Sequence, residues 1–342
     1  MNRPIDCKSI RRFGVEIELN TFDGDIKKTN VETKQIPTGM DYVACLVKEA
    51  SRDSVQIVHW SYVHNNEDWV IKYDMSCGIE INTPVFKGWN GLNKLLRVVE
   101  SLSNDEKIKA NELCSLHVHV SVSDLNAKQM ASVIAHYLKC EHVFFDSVPE
   151  RRKNNRYCQC IGMTDWFDTN FDMDVMDLIT QISQSKYGSI NAFHFVKGGG
   201  FSPDNERRQT LEFRIAENSA CLDPFYVKNW IRLLLHFIEV TKDRKIPPKY
   251  IQGNQHTGLA WLDFEEVYKL LKFDQDLSLG MQQVRQWFMG RIEKNQMKHV
   301  DNSSVWSSAG RSFCNKQFSE INLNLIKIEE DENSLYGNKY II

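Results

Sequence analysis

No apolar run in this sequence approaches the length of a membrane span, and Met1 to Asp6 do not begin a signal peptide. The expectation is a soluble, cytoplasmic protein. An excess of charge is missing as well. With 42 Lys and Arg against 45 Asp and Glu, no global field draws the chain onto nucleic acid or an anionic membrane, so any phosphate binding has to be local. Nine cysteines, an odd number, show none of the paired spacing of a secreted disulfide scaffold. Cys158 and Cys160 stand one residue apart rather than the two of a zinc knuckle or thioredoxin-like pair, which points to buried thiols in a reducing compartment. Repeats and low-complexity tracts are also absent. What is present, 42% apolar residues with 11% aromatics over 342 positions, suffices for one large core or two modest ones.

The most informative stretch is Phe13 to Leu19. Alternation puts Phe13, Val15, Ile17 and Leu19 on one face of a strand and Glu16 and Glu18 on the other. Three more strand-like segments repeat this pairing of polar residues two apart: Glu80 with Asn82, His117 with His119, and Glu212 with Arg214. Any one pair also suits a solvated face or a hydrogen-bonded structural histidine. Four together favour a shared site. Helical spacing follows Pro84 (Trp89, Leu92, Leu95, Leu96, Val99, Leu102), a long helix capped by Asp124 or Asn126 runs to about Asp146, and Asp223-Pro224 starts another. Asp23 to Gly39 reads as a loop before a helix from about Asp41, and Gly198 to Gly200 as a mobile loop. Ser54–Val63 with Trp69–Tyr73 reads as a hairpin, and Lys186–Phe195 as a further strand.

Strands that are apolar on one face and polar on the other, with helices between them, imply an α+β fold. Its antiparallel sheet carries helices on the apolar face and a polar, concave active-site face. Glu16, Glu18, Glu80, His117, His119 and Glu212 would converge there, a set of hard oxygen donors with imidazoles that suits Mg²⁺ or Mn²⁺ better than zinc. Arg214 adds a fork for phosphate or carboxylate. Paired histidines two apart also occur in cupins and metal-dependent amidohydrolases. Val120 to Ser123 lack the downstream glutamate a cupin needs, and the position of the pair does not suit an amidohydrolase barrel.

Phe13 to Glu18, Asp74 with Ser76 and Gly78 to Ile81, Cys114 with His117 to His119, Arg156 to Cys158, Tyr187 with Asn191, and Thr210 to Arg214 together resemble the amidoligases. That family belongs to the glutamine-synthetase-like carboxylate–amine ligases. The resemblance spans roughly residues 11 to 240. Beyond Pro247-Pro248 the pattern weakens and leaves 246–342 as a mainly helical extension. Unlike a full-length glutamine synthetase, no separate amino-terminal domain is expected, while the resemblance implies a catalytic domain over residues 1–245. It further implies ATP-dependent amide or isopeptide formation through an acyl phosphate, with divalent metal. Glu18 and Glu80 would then hold one ion, Glu16, His117 and Glu212 another, and Asp74 is a weaker candidate. His119, Arg156 and Arg214 would face phosphate or the acyl group, with Tyr187 and Asn191 beside the nucleotide, and Arg214, Arg156 and Glu212 would serve catalysis. The substrates would be a carboxylate and an amine, with peptide, protein and cell-wall groups all open, and neither nucleic acid nor membrane is implied. A nucleotide-binding module without catalysis and a metal-dependent hydrolase are the alternatives.

Overall fold

A computed structural model describes residues 11–21, 38–58, 67–153, 155–161, 179, 187–192, 195, 209–245, 264–276 and 278–297. The first strand, β1 (Arg12–Thr21), buries Phe13, Val15, Ile17 and Leu19 almost completely, as its alternation demands. It lies at the centre of a sheet. The remaining strands are β2 (Val55–Val58), β3 (Trp69–Asp74), β4 (Gly78–Asn82), β5 (Phe86–Lys87), β6 (Ile108–Lys109), β7 (Leu116–Ser121), β8 (Ile190–Asn191) and β9 (Thr210–Ala216). Their order is β2-β3-β4-β1-β7-β9-β8, and β5 and β6 also pair with β1. Every pairing is antiparallel except β2 with β3.

The parallel pairing corrects the expected hairpin. Val55 to Val58 run alongside Trp69 to Lys72 in the same direction, which a tight turn cannot produce. Residues 59–66, where the hairpin tip was expected, lie outside the described residues, as do residues 23–37 of the expected first loop and Gly198 to Gly200. Gly39, placed in that loop by sequence, belongs to helix α1 (Thr38–Ser51). Of the strand expected over Lys186–Phe195, the described residues contain the two of β8.

The other helices are α2 (Gly88–Ser103), α3 (Ala127–Asp146), α4 (Glu150–Lys153), α5 (Pro224–Thr241), α6 (Phe264–Leu270) and α7 (Leu279–Met297). Asn126 caps α3 in a reciprocal box with Gln129, and Asp223 caps α5 by accepting from the Tyr226 amide. Asp124, the other candidate cap, instead receives the Arg11 guanidinium at 2.7 Å, while the same side chain reaches Glu239 at 2.6 Å and the Ser121 carbonyl at 2.8 Å. One buried arginine thereby ties the start of β1 to the end of β7 and to α5.

The helices cover the apolar face of the sheet. Tyr137 of α3 meets Phe213 of β9 edge-to-face at 5.5 Å, and Phe144 of α3 meets Phe237 of α5 in the same way at 5.5 Å. Helices α6 and α7, which lie in the region expected to form a carboxy-terminal extension, join this core. Trp287 packs on Tyr226 at 5.0 Å, Phe288 on Phe144 at 5.7 Å, and Arg291 donates to the Ser147 carbonyl and to Glu217. Among the described residues no helix is long and apolar enough to cross a membrane. Seven of the cysteines fall among the described residues, and all seven are free thiols.

Candidate active site

The pleat that buries the odd-numbered residues of β1 turns Glu16 and Glu18 to the opposite face. Register then decides their neighbours. Glu18 stands across from Glu80 and Glu16 from Asn82 on β4, while on the other side Glu16 stands across from His117 of β7. His119 is the partner of Glu212 on β9, which in turn pairs with Asn191 of β8. All four polar pairs expected from the sequence therefore share one face. Between Leu116 and Val118 the β7–β9 register slips, so that Arg214 and Ile215 both oppose His117. Such a bulge re-aims a side chain. Here it brings the Arg214 Nη1 within 3.5 Å of His117 Nδ1.

Glu16, His119 and Glu212 each present a ligand atom within 4.8 Å of the others, and among the described residues they form the group of His, Cys, Asp and Glu able to hold a metal ion. His119 Nε2 lies 3.2 Å from Glu16 Oε1 and 4.0 Å from Glu212 Oε1. His117 is tied down on both ring nitrogens, with Nδ1 at 3.0 Å from Glu16 Oε2 and Nε2 at 2.8 Å from Ser115 Oγ. Its Nδ1 is also 3.6 Å from Glu212 Oε1. Glu212 is held by Arg214 on one oxygen and by the Asn191 amide, at 2.9 Å, on the other. Arg214 in turn donates its Nε to the Tyr157 carbonyl at 3.2 Å.

Burial alone would raise these carboxyl groups, because desolvation disfavours charge. For Glu16 that effect is outweighed by His119 and His117, which hold it well below the usual carboxylate range. Against the same burial, Arg214 and His119 lower Glu212. His119 shows the converse: burial works to lower its basicity, but Glu16 and Glu212 prevail and raise it. Glu80 behaves differently. Burial and the nearby Glu16 push it up to about 8, despite the pull of Lys72.

Glu18 and Glu80 lie side by side with their own partners. Ser115 Oγ donates to Glu18 Oε2 at 2.7 Å, and Lys72 Nζ and Asn82 Nδ2 both reach Glu80 Oε1, at 2.6 and 2.7 Å. Asp74 receives the Ser76 amide at 2.6 Å in the turn that leads to β4, where Gly78 has a φ of +114°.

Arg156 and Tyr187 stand at a rim rather than in the cluster. The exposed Arg156 guanidinium sits 4.7 Å over the Tyr157 ring and donates to the Tyr157 hydroxyl, and Tyr187 meets Tyr157 edge-to-face at 5.5 Å. Three residues that sequence reasoning passed over support the site. Lys72 and Ser115 contact its carboxylates directly. Glu141 of α3, fully buried, accepts from the Ile161 amide at 2.8 Å, from Cys160 Sγ at 2.9 Å and from Ser189 Oγ. That contact fixes the loop whose Ser189 carbonyl receives the Arg214 amide at 2.9 Å. A carboxylate three residues beyond Leu138 and four beyond Tyr137 falls on the buried stripe of α3, which was the available signal.

A sequence family described as "Putative amidoligase enzyme" matches residues 9–238. The chain belongs to the amidoligase family. The match contains every residue of the cluster and ends inside α5. No curated protein matches this amidoligase. Among solved structures it is similar to a bifunctional glutathione synthetase from Pasteurella multocida, at 12% identity and a TM-score of 0.44, over 86% of this chain and 49% of that one. It thus spans about half the length of that protein. It is also similar to a structure described as a novel glutamine synthase homolog (12% identity, TM-score 0.41, 91% and 70% covered). A third is the complex between the prokaryotic ubiquitin-like protein Pup and its ligase PafA (12% identity, TM-score 0.34, 96% and 67% covered).

Proposed function

We propose that this amidoligase is an ATP-dependent carboxylate–amine ligase that forms an amide or isopeptide bond through an acyl phosphate. The observation that carries the reading is the convergence of half-buried Glu16 and His119 with buried Glu212, beside Arg214, on one polar sheet face. Two carboxylates and an imidazole are a donor set that Mg²⁺ or Mn²⁺ accepts. Glu16, His119 and Glu212 would hold the ion, with His117 fixed behind Glu16 by Ser115. A divalent ion supplies neutralisation of the triphosphate during transfer.

The chain's own residues divide the remaining work. Arg214, already aimed by the bulge and by the Tyr157 carbonyl, offers a planar cationic fork to charge that develops on phosphate or acyl oxygen. Asn191 holds the second oxygen of Glu212, so that this carboxylate keeps its orientation. Arg156 and Tyr187, at the rim with Tyr157, offer a guanidinium and aromatic faces to the nucleotide or to an incoming carboxylate.

Two measurements test the reading. Calorimetry should find ATP binding that depends on Mg²⁺, since a crowd of carboxylates repels a triphosphate. Equal affinity with and without the ion would sink the proposal. ADP release should require a carboxylate and an amine together. Nucleotide binding without turnover would mark a non-catalytic module, and hydrolysis without ATP a metal-dependent hydrolase.

A further inference from the structure

The Glu18–Glu80 half of the site already contains a cation. Lys72 and Glu80 are register partners on β3 and β4, so the pleat carries the lysine onto the polar face regardless of its rotamer. Its ammonium lies 2.6 Å from Glu80 Oε1, and the Asn82 amide reaches the same oxygen at 2.7 Å. Glu18 gives Oε2 to Ser115 and has Oε1 3.7 Å from His117 Nε2. A divalent ion bridging Glu18 and Glu80 would have to displace the ammonium or sit beside it, like charge against like. The other half differs. Its cation, Arg214, is directed to Glu212 Oε1 from β9, and the ligand atoms of Glu16, His119 and Glu212 lie close enough to share one ion.

We propose that Lys72 takes the place of a second metal ion, so that the protein holds one divalent ion, at Glu16, His119 and Glu212, and neutralises Glu80 with its own side chain. This inference rests on the functional reading above and deepens it. Lys72 becomes a positioning residue for Glu80 and a fixed positive charge on the site's β3 side. It also makes the metal content a property of one position in the sequence.

The test is Mn²⁺ titration of the full chain, without nucleotide, followed by electron paramagnetic resonance. The wild type should bind one Mn²⁺ with an uncoupled spectrum. Lys72→Met, which keeps the length of the side chain but removes its charge, should raise the stoichiometry from about one to about two. The new pair, about 4 Å apart, should show exchange coupling. Lys72→Arg should remain at one. Two coupled ions in the wild type would overturn the proposal and leave the ligase reading standing, and this holds whether or not Lys72→Met folds. A folded Lys72→Met that still binds one ion would also overturn it. No Mn²⁺ bound by the wild type would overturn the ligase reading and the proposal together.

Discussion

Glu16 and His119 meet diagonally. The register partner of His119 on β1 is Gly14, yet its Nε2 lies 3.2 Å from Glu16 Oε1, two residues along the strand. Glu212 reaches the same imidazole from the other side as its direct register partner on β9, so the three ligand atoms lie within 4.8 Å of one another. The site is therefore set by diagonal neighbours as much as by direct cross-strand pairs.

The sharpest expectation concerns Glu212 and Arg214, which touch each other but should fail differently. Glu212→Gln keeps the shape and the Asn191 contact at one oxygen but removes a charge from the proposed metal shell. Metal-dependent ATP affinity should fall by about tenfold or more, roughly 1.4 kcal/mol. Arg214→Lys keeps the charge but loses the fork and the Nε bond to Tyr157, so ADP formation should fall far more than ATP affinity. Melting temperature, nucleotide affinity and turnover, measured on both variants, decide the matter. Early melting with unchanged turnover per folded molecule would assign both residues to structure alone.

Glu141 offers a test of the wall behind the site. Glu141→Ala leaves the Ile161 amide and the Ser189 hydroxyl without their acceptor in a dry environment, which should cost about 3 kcal/mol of stability. Glu141→Gln retains one acceptor oxygen and should cost less. Denaturant titration of the two variants would show the order, and equal stabilities would contradict it.

Removal of the carboxy-terminal extension should now have a cost in folding that the sequence did not suggest. A chain ending at Lys245 loses Phe264, Trp287 and Phe288 from the core and uncovers Tyr226, Trp230 and Phe144. We expect a truncate with a much lower melting temperature and exposed apolar surface that binds dyes. The metal group itself contains no residue of the extension. A truncate as stable as the full chain would show that residues 246–342 are a separate unit.

Acid should destabilise the protein through His236 and His136. Burial lowers the basicity of both, with His236 Nε2 at 2.7 Å from the Leu271 carbonyl and His136 Nδ1 at 2.7 Å from the Ser132 carbonyl. The unfolded chain then takes up protons more readily than the folded one. The contribution of these two histidines is complete above about pH 6.5 and is lost as pH falls below it. His236→Gln should flatten that slope in a pH series of denaturant melts, and an unchanged slope would remove His236 from the account.

The paired faces of β1, β4, β7 and β9 were readable because alternation of polar and apolar residues is strict when one side is buried. What could not be read was register. Lys72 alternates with Trp69 and Ile71 in plain sight, but its place opposite Glu80 depends on which strand pairs with β3. The direction of β2 was misjudged for a related reason, since a four-residue strand carries no mark of whether its neighbour runs with it or against it. Asp124 looked as good a cap as Asn126 until Arg11, far away in sequence, claimed it. His119 was expected near phosphate and His117 among the ligands. Both imidazoles stand beside the same two carboxylates, His119 Nε2 at 3.2 and 4.0 Å and His117 Nδ1 at 3.0 and 3.6 Å from Glu16 and Glu212, a convergence that spacing alone does not reveal.

The burial of the thiols gives the molecule an internal reporter of its own opening. Burial pushes Cys77, Cys140 and Cys221 far above the ordinary thiol range and Cys114 up to about 12, so the reactive thiolate is scarce at each of them. Cys45 is exposed on α1. An alkylating reagent at neutral pH should therefore mark Cys45 within the folded lifetime and reach the other four only when the sheet and its helices separate. The lag between the two populations, read by mass spectrometry, would time the excursions of the protein without any label being engineered into it.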